Sequence, residues 1–338
     1  MVNRFAHGSR VSIADVARLA NVSITTVSHV LSGKRPVAED TRARVESAIR
    51  TLGYRPHRVA RTLRTKTSHL VALVIPDITN PFYPTLARGL EDGLEGGGYR
   101  TLICNTDRRP EHEMEFLREM GDRGLDGIIL DSYTLTLDRI TELVSPGISI
   151  VRIGTTVLRD PGLDSVHGDD ERGANDATSH LLRRWGRRVA MIQGPPGAGE
   201  ARNAGYVQAL RSAGVEGDPA LVLSGQWTRE GGAAAMRSLL ALPEPPSGVF
   251  CANDLMALGA LDAARELRVA VPGQVALVGF DDIEAATYAV PPLTTVSNPA
   301  YETGLLAGIM LKERMTNQYT GTARTVTLPC RLIKRVTA

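Results

Sequence analysis

Thr25 and His29 place a hydroxyl and an imidazole on one side of a short helical segment, while Val27, Val30 and Leu31 gather on the other. A polar face of this kind exchanges hydrogen bonds with a partner surface. A second chemical set is Asp77, Asn105, Asp131, Asn253, Asp254, Asp281 and Asp282, each at the carboxyl end of an apolar run. Short polar groups there can bind hydroxyls, because ligands of open α/β sheets lie beyond the strand ends. The same residue types also cap helices at strand-to-helix turns, so part of the set is expected to do only that. Gly194-Pro-Pro-Gly-Ala-Gly199 has the texture of a phosphate loop, but Glu200 and Ala201 stand where such a loop needs Lys and Ser or Thr. His7, His57, His69, His112, His167 and His180 show no metal-ligand spacing and no nucleophile-base pattern. No catalytic residue, metal or cofactor is expected.

The elements that must carry these groups are legible. Ile13, Val16, Ala17 and Ala20 recur at i, i+3, i+4 and i+7, Asn21 suits a tight turn, Ser23 can cap a second helix and Gly33 can end it. Ala17 and Ala20 let two helices cross closely, as a helix-turn-helix requires, although a plain helical hairpin would show the same pattern. Val45, Ala48, Ile49 and Leu52 mark a third helix over 39–52. After the break at 53–56, Arg58, Arg61 and Arg64 alternate with Val59, Ala60 and Leu63, a short basic hinge that could order against a surface.

From residue 69 apolar runs alternate with helical stretches, the pattern of a parallel sheet. Strand candidates at 70–77, 99–106, 125–132 and 148–154 form one series, and those at 188–194, 220–225, 248–254 and 275–282 a second. The fold class expected is α/β: a small all-α helix-turn-helix headpiece, then two doubly wound parallel-sheet lobes with a ligand cleft between them. The expected boundaries are 1–56 for the headpiece, 57–68 for the hinge, 69–165 with 299–325 for the first lobe, and 166–298 with 326–338 for the second.

Charge separates a nucleic-acid binder from an ordinary hairpin. Residues 1–68 hold thirteen Lys and Arg against four Asp and Glu, and the remainder twenty-six against thirty-three, so about +9 stands at one end of a chain whose net charge is +2. A polyanion is the natural partner of that end. Cys104, Cys251 and Cys330 are too scattered for a disulfide framework or a zinc site, which fits a reducing compartment. No targeting segment or membrane span is visible, and a cytoplasmic location is expected.

The blocks IADVARLANVSITTVSHVLSG at 13–33, VAEDTRARVESAIRTLGYRPHRVARTL at 37–63, IPDITNPFYPTLARGLE at 75–91, FCANDLMALGAL at 250–261, VPGQVALVGFDD at 271–282 and LTTVSNPAYETG at 293–304 resemble the LacI/GalR transcriptional repressors along nearly the whole chain. The resemblance implies a homodimer on a near-palindromic double-stranded operator, with a small effector in the core cleft. It places Ile24, Thr25 and His29 at base edges and Ser23 and Thr26 at phosphates. His29 is a departure, since most relatives carry Arg there. Leu63, with Ala60 beside it, matches a hinge wedge into the minor groove, and the hinge arginines, Arg58 among them, would supply offsetting contacts.

For the cleft the resemblance implies Phe82 and Tyr83 at the mouth, Asp131, Arg202, Asn253 and Asp281 on the effector's polar groups, and Trp227 over an apolar face. Gly154 stands where many relatives have Asp, and Pro196 and Ala198 where the purine-responsive branch has Arg and Thr. A sugar or sugar phosphate is the expected effector class. The rival readings are a solute-binding protein without DNA function, which would lack the basic front, and a doubly wound enzyme, which would need a catalytic constellation.

Overall fold

Two units make up the chain, 1–68 and 69–338. The computed structural model describes residues 11–32, 35–54, 67–122, 124–132, 135, 137–144, 147–154, 163–195 and 199–338. In the first unit lie α1 (Ile13–Ala20), α2 (Ile24–Ser32) and α3 (Glu39–Leu52). Ser12 and Asp15 start α1 with a reciprocal capping box, and Asn21 ends it in the left-handed region at φ 50°. Val16, Ala17, Ala20, Val27, Val45 and Ala48 form the core shared by the three helices. Leu31, expected on the apolar side with Val27, is instead 37% exposed.

The second unit contains two six-stranded sheets. The first has the order β11 (Thr325–Leu328), β5 (Asp164–Gly168), β4 (Ser149–Ile153), β3 (Gly127–Asp131), β1 (Leu70–Ile75), β2 (Arg100–Asn105). The second runs β12 (Arg331–Ile333), β10 (Thr294–Ser297), β9 (Ala276–Asp281), β8 (Gly248–Cys251), β6 (Val189–Gln193), β7 (Val222–Ser224). All pairings are parallel except that of β10 with β12. Along β1, Val71, Leu73 and Ile75 enter one core while Ala72 and Val74 enter another on the opposite face, so the strand reads as one unbroken apolar run.

Four strands escape the sequence reading: β5, β10, β11 and β12. Each is only three to five residues long, and β5, β10 and β11 are at least half polar. β5 and β11 pair with each other over their whole length in the first sheet. Just beyond the ends of these two strands the Asp169 N–H donates to the Leu328 carbonyl at 2.8 Å.

The helix at Ala300–Met315 returns to the first lobe and packs along the helix at Phe82–Gly93. Glycines make this crossing close: a Cβ on Gly304 would overlap the Leu86 carbonyl, and one on Gly89 the Tyr301 carbonyl. Replacing Gly304 with Val is expected to cost about 1–3 kcal/mol by overpacking, read as a lowered denaturant midpoint with unchanged slope. Retention of wild-type stability would show that this crossing relaxes freely.

Candidate nucleic-acid face and ligand cleft

In the first unit the Ser23 hydroxyl accepts from the Thr26 amide at 3.1 Å and lies 2.9 Å from the Thr26 hydroxyl, starting α2. The cap leaves Ile24 51% exposed, with Ser23 and Thr25 also exposed and Thr26 and His29 half-buried. An apolar side chain so open, flanked by hydroxyls at a helix start, suits contact with base edges and methyl groups. Arg58, Ala60 and Leu63 lie outside the described residues, as do Gly33, Pro196 and Ala198.

In the second unit a cleft lies at the carboxyl ends of the strands. All seven side chains expected there line it: Phe82, Tyr83, Asp131, Arg202, Trp227, Asn253 and Asp281. Phe82 and Tyr83 open the helix at Phe82–Gly93 and meet edge to face, their ring centres 5.3 Å apart. The Tyr83 hydroxyl donates to Asp131 Oδ2 at 2.8 Å. Burial lifts the Asp131 carboxyl to about 7, the Tyr83 bond opposes that lift, and the neighbouring Glu113 charge adds to it. Gly154 explains how Asp131 fits. It has φ +82°, and a Cβ there would stand 2.8 Å from Asp131 Oδ1.

Arg202 organises the back wall. Its Nε donates to Asp170 at 3.0 Å, one Nη to Asp281 at 3.3 Å and the other to the Ala252 carbonyl, and the guanidinium lies 3.9 Å from the centre of the Phe280 ring. Asp281 also accepts from Asn298 Nδ2 at 3.2 Å. Burial raises the Asp281 carboxyl to about 6 against the pull of Arg202 and Asn298. Asp281 and Asp282 both have positive φ, 109° and 56°, a strained pair that turns the chain sharply at the end of β9.

Asn253 is both cap and wall. Its side-chain oxygen accepts from the Met256 amide at 2.8 Å, and its Nδ2 donates to the Trp227 carbonyl at 3.4 Å. Gly194 and Gly199 seat Trp227: a Cβ on Gly194 would overlap the indole, and one on Gly199 would stand 2.8 Å from it. These two glycines thus make room for the indole, with no lysine of a phosphate loop after them.

Of the other strand-end carboxylates and amides, three serve the scaffold. Asp254 is fully buried and accepts from the Ile283 amide at 2.9 Å and the Thr295 hydroxyl at 2.5 Å. Asp282 pairs with Arg335 at 2.7 Å, and Asn105 accepts from the Ile78 amide at 2.7 Å. Asp77 does line the cleft, ion-paired with Arg108, whose Nη1 reaches the Gln226 carbonyl of the other lobe at 3.4 Å.

Arg108, Asp170, Asn298, His167 and Thr303 line the cleft without having been expected there. Asp170 and Asn298 follow strands too short to read, β5 and β10. The acidic, arginine-rich turn at 107–109 was the only local hint of Arg108. Thr303 Oγ1 and Trp227 Nε1 are buried without a hydrogen-bond partner among the described residues, so the cleft wall holds polar atoms that a ligand could satisfy. Among the described residues no three His, Cys, Asp or Glu side chains are grouped to hold a metal, and no helix is long and apolar enough to cross a membrane.

Comparison with known proteins gives the following. Residues 12–57 match the family described as bacterial regulatory proteins, lacI family, and residues 178–338 a periplasmic binding protein-like domain. Over 326 residues the chain is 35% identical to the HTH-type transcriptional repressor CytR of Escherichia coli strain K12, covering 96% of this chain and 95% of that protein. It resembles the transcriptional regulator CelR in complex with cellobiose, with TM-score 0.73 and 32% identity over 97% of this chain and 100% of that one. It also resembles a LacI family transcriptional regulator from Enterococcus faecium with bound ribose, with TM-score 0.72 and 30% identity over 79% of this chain and 98% of that one.

Proposed function

Because this chain belongs to the lacI family of bacterial regulatory proteins, we propose that it represses transcription as a homodimer on a near-palindromic operator and responds to a sugar-like effector in its cleft. DNA-binding regulation is the family's property. The operator, the dimer and the effector are this proposal's own content. One observation carries it: seven side chains expected to hold an effector line a single cleft that also contains unpartnered buried polar atoms. The cellobiose and ribose bound by two similar proteins support a sugar-like ligand.

A second copy is favoured by the edge strand β2, where Leu102 and Ile103 are 39% and 49% exposed. The proposed coupling is linkage: an effector that prefers one arrangement of the lobes shifts the fit of two headpieces to two half-sites. Operator selection from random duplexes, followed by titration of sugars against the selected site, tests the whole reading. Absence of any preferred duplex would overturn it. A solute-binding role alone would leave the basic front and the exposed face of α2 without use.

His29 gives a sharper test. Arg reads guanine with two hydrogen bonds, whereas neutral imidazole offers one donor. His29→Arg is expected to shift the selected operator toward guanine at the facing position, with discrimination of about 1–3 kcal/mol. An unchanged selected sequence would remove His29 from the base-reading set.

A further inference from the structure

Among the described residues the charges lining the cleft are four carboxyl groups, Asp77, Asp131, Asp170 and Asp281, against two guanidinium groups, Arg108 and Arg202. Both cations are already engaged. Arg108 is paired with Asp77, and Arg202 with Asp170 and Asp281 at 3.0 and 3.3 Å as well as with the Ala252 carbonyl. A phosphate or carboxylate entering this cleft would have to displace a carboxylate from its arginine and lie against the one displaced. Like charges brought together in a desolvated site repel strongly.

Asp131 sharpens the selection. It stands on the first-lobe wall with the Tyr83 hydroxyl 2.8 Å away, Glu113 buried nearby, and Gly154 leaving its other oxygen uncovered by any side chain at that position. With the carboxyl lifted to about 7 by burial, it is a carboxylate above that pH and then only accepts hydrogen bonds, so a ligand group meeting it there must donate. The unpartnered Thr303 hydroxyl can donate or accept, and the Trp227 indole only donates, so the rest of the wall suits hydroxyls, which do both.

We propose that the cleft takes an uncharged, hydroxyl-bearing ligand that donates a hydrogen bond to Asp131, and that its carboxylates reject the phosphorylated form of the same ligand. This rests on the reading of the cleft as an effector site and narrows the class it takes. Asp131 acts as the selecting group, while the Asp77–Arg108 and Asp170–Arg202–Asp281 pairs withhold their cations from an anion.

The test uses calorimetry at about pH 8, where Asp131 is ionised, on the full chain with matched pairs, ribose and ribose 5-phosphate, glucose and glucose 6-phosphate, cellobiose and its phosphate, with operator binding of the same preparation measured in parallel. The expected result is that the neutral member of at least one pair binds and its phosphate is weaker by ~100-fold or more. Asp131→Asn is expected to weaken the neutral ligand ~10-fold or more, since the amide accepts less strongly, and to narrow the gap between the two members. Arg108→Ala, which frees Asp77, is expected to widen it.

A phosphorylated member binding as well as its neutral partner would overturn the charge-selection proposal and leave the effector reading intact. Failure of every pair, with operator binding preserved, would overturn the effector reading and this proposal with it. Should Asp131→Asn not fold, Arg108→Ala and the matched pairs still decide the question on the wild-type cleft.

Discussion

Arg202→Met is expected to abolish the effector response while leaving operator binding measurable, and to lower stability by about 3–5 kcal/mol. Met keeps an apolar stem against Phe280 but removes the positive charge that Asp170 and Asp281 share. Two buried carboxyl groups are then left without their cation, and breaking one side of a buried ion network costs far more than the network contributes when intact. For a domain this large the loss corresponds to ~10 °C in melting temperature. Adding Asp281→Asn should recover part of the stability, because one orphaned charge disappears, but not the ligand response. Thermal melts of the single and double variants, with and without the best-binding sugar, check both halves. A stable Arg202→Met that still responds to effector would show that the back wall is not organised by this side chain.

Asp164→Ala is expected to cost a similar amount, about 3–5 kcal/mol, without touching the cleft. Asp164 opens β5 at the end of the sheet away from the ligand and is fully buried at its side chain. Arg314 reaches it with two nitrogens at 3.0 and 2.8 Å, and Arg324 with a guanidinium nitrogen and its own amide, both at 2.8 Å. Tyr319 stacks beneath both arginines, 4.5 and 3.9 Å from its ring centre. Burial works to raise the Asp164 carboxyl, but the two arginines outweigh it and hold the group at about 2, below its ordinary 3.8.

A carboxyl held lower in the folded chain than in the unfolded one adds stability in full above about pH 4, and that contribution is lost as pH falls through about 2. The gap between wild type and Asp164→Ala, measured by denaturant titration, should therefore be constant from pH 5 to 7 and shrink between pH 4 and 2. A gap that does not depend on pH would mean that the variant loses packing, not the ion pairs.

The headpiece and most strands were readable because their signals are local. Val16, Ala17 and Ala20 are buried at the spacing the helical period demands, and α3 spans the residues its apolar stripe marks. The long strands were visible because both faces are covered, which leaves unbroken apolar runs such as LVALVI in β1. β5 failed that test: DSVHG has Val166 as its one apolar side chain over five positions, and Asp164 and His167 take partners from residues 150 or 160 positions away. Missing β5 hid Asp170 behind it.

Residue type and period thus settled on their own where the positive charge gathers, which segments are helical, which runs are sheet, and that a set of acidic and amide groups stands at the strand ends. Steric limits on the backbone and the need to bury apolar side chains act over a few residues, so a linear reading captures them. Only the tertiary structure decided which of those groups face the cleft and which are spent on the scaffold. Tyr83 meets Asp131 across 48 residues, Arg202 meets Asp281 across 79, and Asp254 is taken inward by a hydroxyl 41 residues away. Pairings of that length depend on how the chain crosses between the lobes, and the hydrogen bonds and ion pairs that satisfy buried polar groups form only once those crossings are made.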